Sequence, residues 1–519
     1  MYLIEVKILK TSSIVLALFL SSLFKQICYA DQLKTALEPD LRVFNDFNLP
    51  LDPAHLVTMS EYNLSLCLFR SMFELDEASM PISHILESWD YSDQTHSYTF
   101  KIKDDITWSD GKPLNSNDLS FSILRLKTAA PGHYSSISNL IDGILSKDNE
   151  IISHSGIINK SAKSLTIKVK KPGIDLFKRL TAVFIPIVRE DQVDPKSKKI
   201  INHNVSLGPY IINNKEGNKD TLVLDKNQLF YYKHSKMPIR VEMRKYPSSP
   251  LNLSAFGTKD MWANIALDRA FVKTHVWNSL KDQGWSMWTR PIDRVMLLIP
   301  TKAGIRDTSM RELIQFLGYY IQNNPIDFKK YVGIQKASSL QPPGFILHKT
   351  IEYKKADIPK KFLNKKLKLA VVNNQLPGEL ITKVIEDSGL KLEVQYFPIA
   401  ELASKTNSEE FDLILTAFGA ADPDPVTWLS LVLESQVSFV GDWEGKLKNK
   451  FQALKKETDI PKQHASLKEM IYQSAQDGYY IPLAHFSSIA IADKNLSLKS
   501  IRQSDETVDI SKIEVVRAQ

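Results

Sequence analysis

The stretch from Leu367 to Phe418 constrains this chain most. Leu367 to Val372 is a short, largely apolar run. Pro377 to Ser388 then sets Leu380, Ile381, Val384 and Ile385 on one side of a helix, and Gly389 stops it as a C-terminal cap. Leu390 to Tyr396 reads as a second strand, Ile399 to Ser404 as a short helix, and Phe411 to Phe418 as a third, mostly apolar strand. Strand and helix alternating in this way pack as a parallel sheet with right-handed crossovers, so the fold class is α/β. Ligands of such sheets sit beyond the carboxyl ends of the strands. Two loops hold that position here, Asn373-Asn374-Gln375 and the run from Gly419 through Ala421, Asp422 and Asp424 to Pro425.

A chain of 519 residues is too long for one ordinary core, so two or three domains are expected. Earlier segments supply further elements. Glu61 to Phe73 has the three-and-four spacing of a helix, Ser97 to Lys103 and Ser164 to Lys170 alternate like half-buried strands, and Ser116-Asn117-Asp118 can cap a helix running to Lys127. Leu207 to Tyr210 opens a further strand pair through Ile211-Ile212 and Asp220 to Asp225. Lys354 to Lys366, dense in lysine and broken by Pro359, reads as a linker.

The N-terminus bears on the compartment. Thr11 to Phe24 is apolar, with Lys7 and Lys10 before it. Fourteen residues span only about 21 Å as a helix, against about 30 Å of hydrocarbon. A cleaved signal peptide over residues 1–30, ending at Ala30, is the reading adopted, and the expected location is the periplasm. A retained anchor and a lipidated Cys28 are the alternatives. With Cys28 removed, Cys67 alone remains, inside an apolar run, and reads as a buried small hydrophobe.

The formal charge of +7 is interleaved along the chain, which describes a solvated surface and argues against nucleic acid as a partner. Known catalytic patterns are missing. The histidines show no His-Glu-x-x-His helix, the cysteines form no cluster, and there is no nucleophile elbow or phosphate-binding glycine loop. The chain is therefore expected to be a binding protein rather than an enzyme, with no metal or other cofactor.

One ordered set of motifs carries a family resemblance. Leu51-Asp52-Pro53, Leu68-Phe69, Glu87-Ser88-Trp89, Tyr98 to Lys103, the Trp108 to Pro113 block and Asn117-Asp118 follow one another, and Gly208-Pro209-Tyr210, Phe411 to Pro425 and Tyr480 to His485 come later. Together they resemble the family 5 extracellular solute-binding proteins, the oligopeptide- and dipeptide-binding group. The resemblance implies a two-lobed periplasmic-binding-protein-like fold of type II with an extra inserted domain. Domain I would comprise residues 31–74, 200–265 and 487–519, domain II residues 75–199, and the second lobe residues 266–486.

It also implies a function: capture of a peptide or other small solute between the lobes by a monomer, and delivery to the permease subunits of an ABC transporter. Family peptide binders hold the ligand as an added strand. The matching positions here are Val57, Thr58 and Met59 on one lobe, Phe418 and Gly419 on the other, and Tyr134 from domain II. The sequence departs from the family at Ala421, which stands where the peptide binders carry an Asp for the ligand ammonium. Asp422 is the nearest replacement. A buried ammonium without an anion is costly, so a metal chelate, a sugar, a signalling molecule or a sensor role without transport remains the alternative.

Overall fold

Five consecutive residues, Val295 to Ile299, are fully buried although their side chains alternate between two faces of one strand. Only a sheet covered on both sides accepts such a run. Met296 and Leu298 join one core with Leu313, Ile381 and Leu413, while Val295, Leu297 and Ile299 join a second with Trp428, Leu467 and Tyr480. The sheet between these cores has six strands, in the order Ile334–Lys336, Ile481–Phe486, Arg294–Pro300, Leu413–Gly419, Lys366–Val372 and Lys391–Phe397. The last three are mutually parallel, as the alternation after Leu367 requires.

The structure is a computed structural model and describes residues 39–56, 58–76, 80–130, 134, 137–138, 140–147, 150–170, 174–181, 185–232, 234–245, 262–267, 272–290, 294–307, 309–372, 378–397, 410–419, 425–434, 440–442, 444–457, 459–501 and 508–516. The proposed signal peptide, Val57, the 373–375 loop, the helix at 399–404, Ala421, Asp422 and Asp424 lie outside the described residues.

A second sheet has seven strands, in the order Tyr210–Asn218, Thr221–Lys226, Arg240–Arg244, Leu41–Phe44, Ile265–Ala266, Ile489–Ala492 and Ser286–Thr289. Leu41–Phe44 is parallel to both of its neighbours. The Ser286–Thr289 strand lies in the stretch that the resemblance gives to the second lobe, yet it pairs along its whole length with Ile489–Ala492 in this sheet. The chain changes sheets only after Arg290. It returns at Ser487-Ser488, where the Arg290 N–H donates to the Ser488 carbonyl at 3.0 Å. Thr289 faces Ile489 on one side of this crossing and Arg294 faces Phe486 on the other. The two crossings are thus neighbours in both sheets.

The inserted part holds a four-stranded antiparallel sheet, Leu86–Ser92, Ser97–Ile102, Ser164–Lys168 and Ile157–Ser161. The motif residues fasten it. Trp108 is buried, donates to Asp118 Oδ2 at 3.2 Å and lies under the Arg189 guanidinium, which grips Asp110 at 2.9 and 3.1 Å. Gly111, at φ +83°, makes the turn that brings these together. Ser109 exchanges two bonds with Ser206, its N–H donating to the carbonyl and its hydroxyl accepting from the amide, both at 2.9 Å. Two residues on, a Cβ at Gly208 would stand 2.6 Å from the Cys67 carbonyl oxygen, so only glycine lets this strand reach the end of the Met59–Leu68 helix. That helix was expected to run to Phe73. It stops at Leu68 because Phe69 turns extended to pass Gly208.

Asp52 joins the insert to the first sheet. Its carboxylate accepts both Arg125 terminal nitrogens at 3.0 Å and the amides of Ala54 and Ile200 at 3.0 Å. Burial alone would raise this carboxyl, but Arg125 and the two amides hold it below its usual value. Beside it, the Leu51 N–H donates to His203 Nε2 at 2.8 Å. The imidazole must therefore be neutral with its proton on Nδ1, which is buried without a partner. Burial pushes His203 down to about 4, against the opposing charge of Asp52.

Two outcomes are expected. Asp52→Asn leaves Arg125, whose side chain has no exposure, without its counter-charge, and urea unfolding should report a loss of about 3–5 kcal/mol. His203 is harder to protonate in the folded chain than in the unfolded one, so its contribution is complete above pH 6.5 and is lost as pH falls towards 4. Stability should decline through that window by something on the order of 3 kcal/mol from this group, with buried His485, also pushed down to about 4, adding in the same direction. His203→Gln keeps an acceptor without a titration, and its stability should depend less steeply on pH than that of the unaltered chain.

Candidate functional site at the lobe junction

The strand directions locate a site before any side chain is considered. In the first sheet Leu41–Phe44, Arg240–Arg244 and Ile265–Ala266 run parallel, and the last is antiparallel to Ile489–Ala492, which leaves the crossing. Their carboxyl ends therefore point at the crossing. In the second sheet Leu413–Gly419 ends level with Arg294 and Phe486, again at the crossing, and the parallel Lys366–Val372 and Lys391–Phe397 run toward the same end, stopping about three residues short of it. Two sets of strand carboxyl ends, each the usual ligand side of an α/β sheet, thus confront one another over one junction.

Gly419 ends its strand beside Arg294, with no atom within 4 Å of where a Cβ would stand. Its carbonyl accepts from Trp428 Nε1 at 2.8 Å, which fixes the strand end. Phe418, half-buried, lies 6.1 Å from the Trp428 ring. The expected pair Phe418 and Gly419 is therefore at the junction.

Thr58 caps the Met59–Leu68 helix. Its hydroxyl accepts from the Glu61 N–H at 3.2 Å, its N–H donates to Glu61 Oε2 at 2.9 Å, and its carbonyl accepts from Tyr62 at 3.1 Å. A capping box of this kind occupies both main-chain groups of Thr58, so strand-like pairing of Thr58 with a ligand would require the cap to break. Met59 is half-buried in the first turn. Tyr134 is 6% exposed within the core of the inserted part, a core that extends to Ala54. Its hydroxyl is buried without a partner, and burial raises its pKa.

Three further residues near the crossing went unnoticed in the sequence. Trp288 and Ser488 lie on the same face of the first sheet, since Trp288 is opposite Ala490. Trp288 Nε1 and Ser488 Oγ are both buried with no hydrogen-bond partner among the described residues. Unsatisfied buried donors cost about 1–3 kcal/mol each and point to a water or ligand that completes them. Arg294 opens the otherwise apolar Arg294–Pro300 strand, and its guanidinium has no ion-pair or hydrogen-bond partner among the described residues. A lone cation at the head of an apolar strand was the available signal for it. Near the crossing, two buried donors and an arginine are thus left without partners among the described residues. Among the described residues no group of three or more His, Cys, Asp or Glu side chains is placed to hold a metal ion, and no helix is long and apolar enough to cross a membrane.

Comparison with known proteins agrees with this architecture. Residues 81–280 match the family described as bacterial extracellular solute-binding proteins, family 5 Middle. The chain is 25% identical over 264 residues to the periplasmic murein peptide-binding protein MppA of Escherichia coli, a match covering 48% of this chain and 47% of MppA. The sequence match thus spans about half the length of that relative. The MppA structure superposes with a TM-score of 0.68 at 17% identity, covering 92% of this chain and 98% of MppA. A dipeptide-binding protein from Pseudoalteromonas sp. SM9913 in complex with Met-Leu gives 0.70 at 13% identity, covering 92% of this chain and 99% of that one. NikA from Staphylococcus aureus in complex with Ni(L-His)2 gives 0.67 at 13% identity, covering 92% and 100%. Residues 81–280 thus carry the sequence pattern of the family 5 bacterial extracellular solute-binding proteins, and the chain shares the two-lobed fold of the MppA structure.

Proposed function

We propose that this chain is the solute-binding subunit of an ABC importer, which captures a peptide or peptide-like ligand between its lobes and delivers it to membrane permease subunits. The supporting observation is the junction itself. Strand carboxyl ends of two sheets face each other there, and buried Trp288 Nε1, buried Ser488 Oγ and the Arg294 guanidinium are all without partners among the described residues. Hinge closure about paired crossings would surround the ligand and exclude water. The donors are suited to ligand carbonyls and Arg294 to a carboxylate. MppA and the Pseudoalteromonas protein, whose names and complexes concern peptides, support the ligand class. Export to the periplasm belongs to the same reading.

NikA, with the same fold, is complexed with a nickel chelate of histidine, so a carboxylate-bearing chelate is the second reading. Native mass spectrometry of the protein as purified separates the two: a ladder of peptide masses is expected, and a single non-peptide mass would replace peptide by another solute.

Arg294→Gln should weaken peptides with a free C-terminus about tenfold to a hundredfold, the worth of a charge-assisted bond, and leave C-terminally amidated peptides unchanged. Trp288→Phe should weaken both about twofold to tenfold. Calorimetric titration with acid and amide forms of one peptide reads both effects. Equal response of the two forms to Arg294→Gln would remove Arg294 from the ligand.

A further inference from the structure

A cavity of about 330 Å³ lies away from the lobe junction, where the inserted part meets the first lobe. Three separate parts of the chain line it: Arg70 and Glu74 with Ile82 and His84, then Phe230, Tyr232 and His234, and last Ser500 with Asp509 and its neighbours to Glu514. Its volume is at the small end of the range of about 300–1,000 Å³ typical of small-molecule sites.

The deep wall is electrostatically closed. Arg70 is buried and donates to Asp509 Oδ2 and Ser511 Oγ, both at 2.9 Å, and to the Leu66 carbonyl at 2.6 Å. Glu514 is likewise committed, to Ser500 Oγ at 2.6 Å and to the Lys236 ammonium at 3.3 Å. Two lining groups are different. The His84 imidazole stacks on the Tyr232 ring, with centroids 4.7 Å apart and planes 28° from parallel. Neither the His84 ring nitrogens nor the Tyr232 hydroxyl has a hydrogen-bond partner among the described residues. Tyr232 is 49% exposed although one face rests on His84. Burial and the nearby Lys103, Arg70 and Lys512 hold His84 below its usual pKa, with Glu74 opposing, so the ring is neutral and both donates and accepts.

The charges that line the cavity are of both signs and largely offset: Arg70 is paired with Asp509, Lys512 and Glu74 both line it, and Glu514 is met by Lys236 from outside the lining. No strong field of one sign is left to select an anion or a cation. Donors and acceptors do remain in number, next to an exposed aromatic face. A flat molecule with many hydroxyls and one apolar face meets all of these conditions. Its hydroxyls can pair with both kinds of polar group, and its C–H face can cover the open side of an aromatic ring.

From this geometry we infer a second binding site between the insert and the first lobe, taking a neutral saccharide unit against Tyr232 and His84. The site is separate from the lobe junction and does not depend on what that junction binds. The inserted domain would then serve as a recognition element as well as a prop for the first lobe.

The test uses the full chain and saturation-transfer NMR with N-acetylglucosamine, glucose and maltose, alongside glutamate and putrescine as charged probes. At least one saccharide should show transfer at millimolar concentration, and the charged probes none. Tyr232→Ala, a change at a half-exposed residue, should weaken that saccharide roughly tenfold, the scale of a lost stacking contact. His84→Gln should weaken it less, since an amide keeps both a donor and an acceptor. Peptide affinity at the lobe junction should be the same in both variants, which separates this site from that one and certifies the fold. Binding of glutamate or putrescine in preference to all three sugars would overturn the ligand class. Absence of transfer for every probe, or equal saccharide binding by Tyr232→Ala, would overturn the site.

Discussion

Two strands cross from one sheet to the other and remain hydrogen-bonded neighbours on both sides of the crossing. The rest of the molecule is arranged around that pairing. Each sheet needs both chains: Ile489–Ala492 bridges Ile265–Ala266 and Ser286–Thr289 in the first, while Ile481–Phe486 covers one side of the buried Arg294–Pro300 strand in the second. Backbone ladders resist shear because every buried N–H and C=O must keep a partner. The lobes are thereby joined where the first sheet ends at Arg290 and Ser488 and the second begins at Arg294 and Phe486. Strand carboxyl ends of both sheets are directed toward that same place.

The inserted part is held to the first lobe by charge and close packing rather than by a shared sheet. Asp52 with Arg125 and the Ser109–Ser206 exchange are the fastenings, and the Gly208 contact lets the Met59–Leu68 helix lie against them. Buried ion pairs of this kind contribute little net stability but make one arrangement much better than its alternatives. The family motifs of the N-terminal third acquire a physical meaning here. Leu51-Asp52-Pro53, the Trp108 block and Gly208-Pro209-Tyr210 are joints between the insert and the first lobe.

Elements with a strong local period were legible in the sequence. The strands near 367, 391 and 413 and the Gly378–Asp387 helix were found within a residue or two, because apolar periodicity and the Gly389 cap are local signals. The helix from Glu61 was read too long, since what ends it is Gly208, far away in the chain. The sheet that the Ser286–Thr289 strand joins was not legible for a similar reason: its partner is about two hundred residues further on, and its own residues carry no mark of which sheet they join. The candidate site was legible only where a motif ran through it, at Phe418 and Gly419. Trp288, Arg294 and Ser488 form no motif. They come together only when the two crossings pair.

One consequence of the seven-stranded sheet concerns time. Its Leu41–Phe44 strand emerges first from any machine that releases the chain from its N-terminus, yet the Ile489–Ala492 strand that completes the sheet emerges almost last. Loop closure over such a separation is slow compared with local pairing. The second lobe, whose strands lie between those two, can therefore consolidate while the earlier-made lobe still presents an open edge at Ile265–Ala266. That edge is where a holding chaperone, or a misplaced strand from another molecule, would first find purchase.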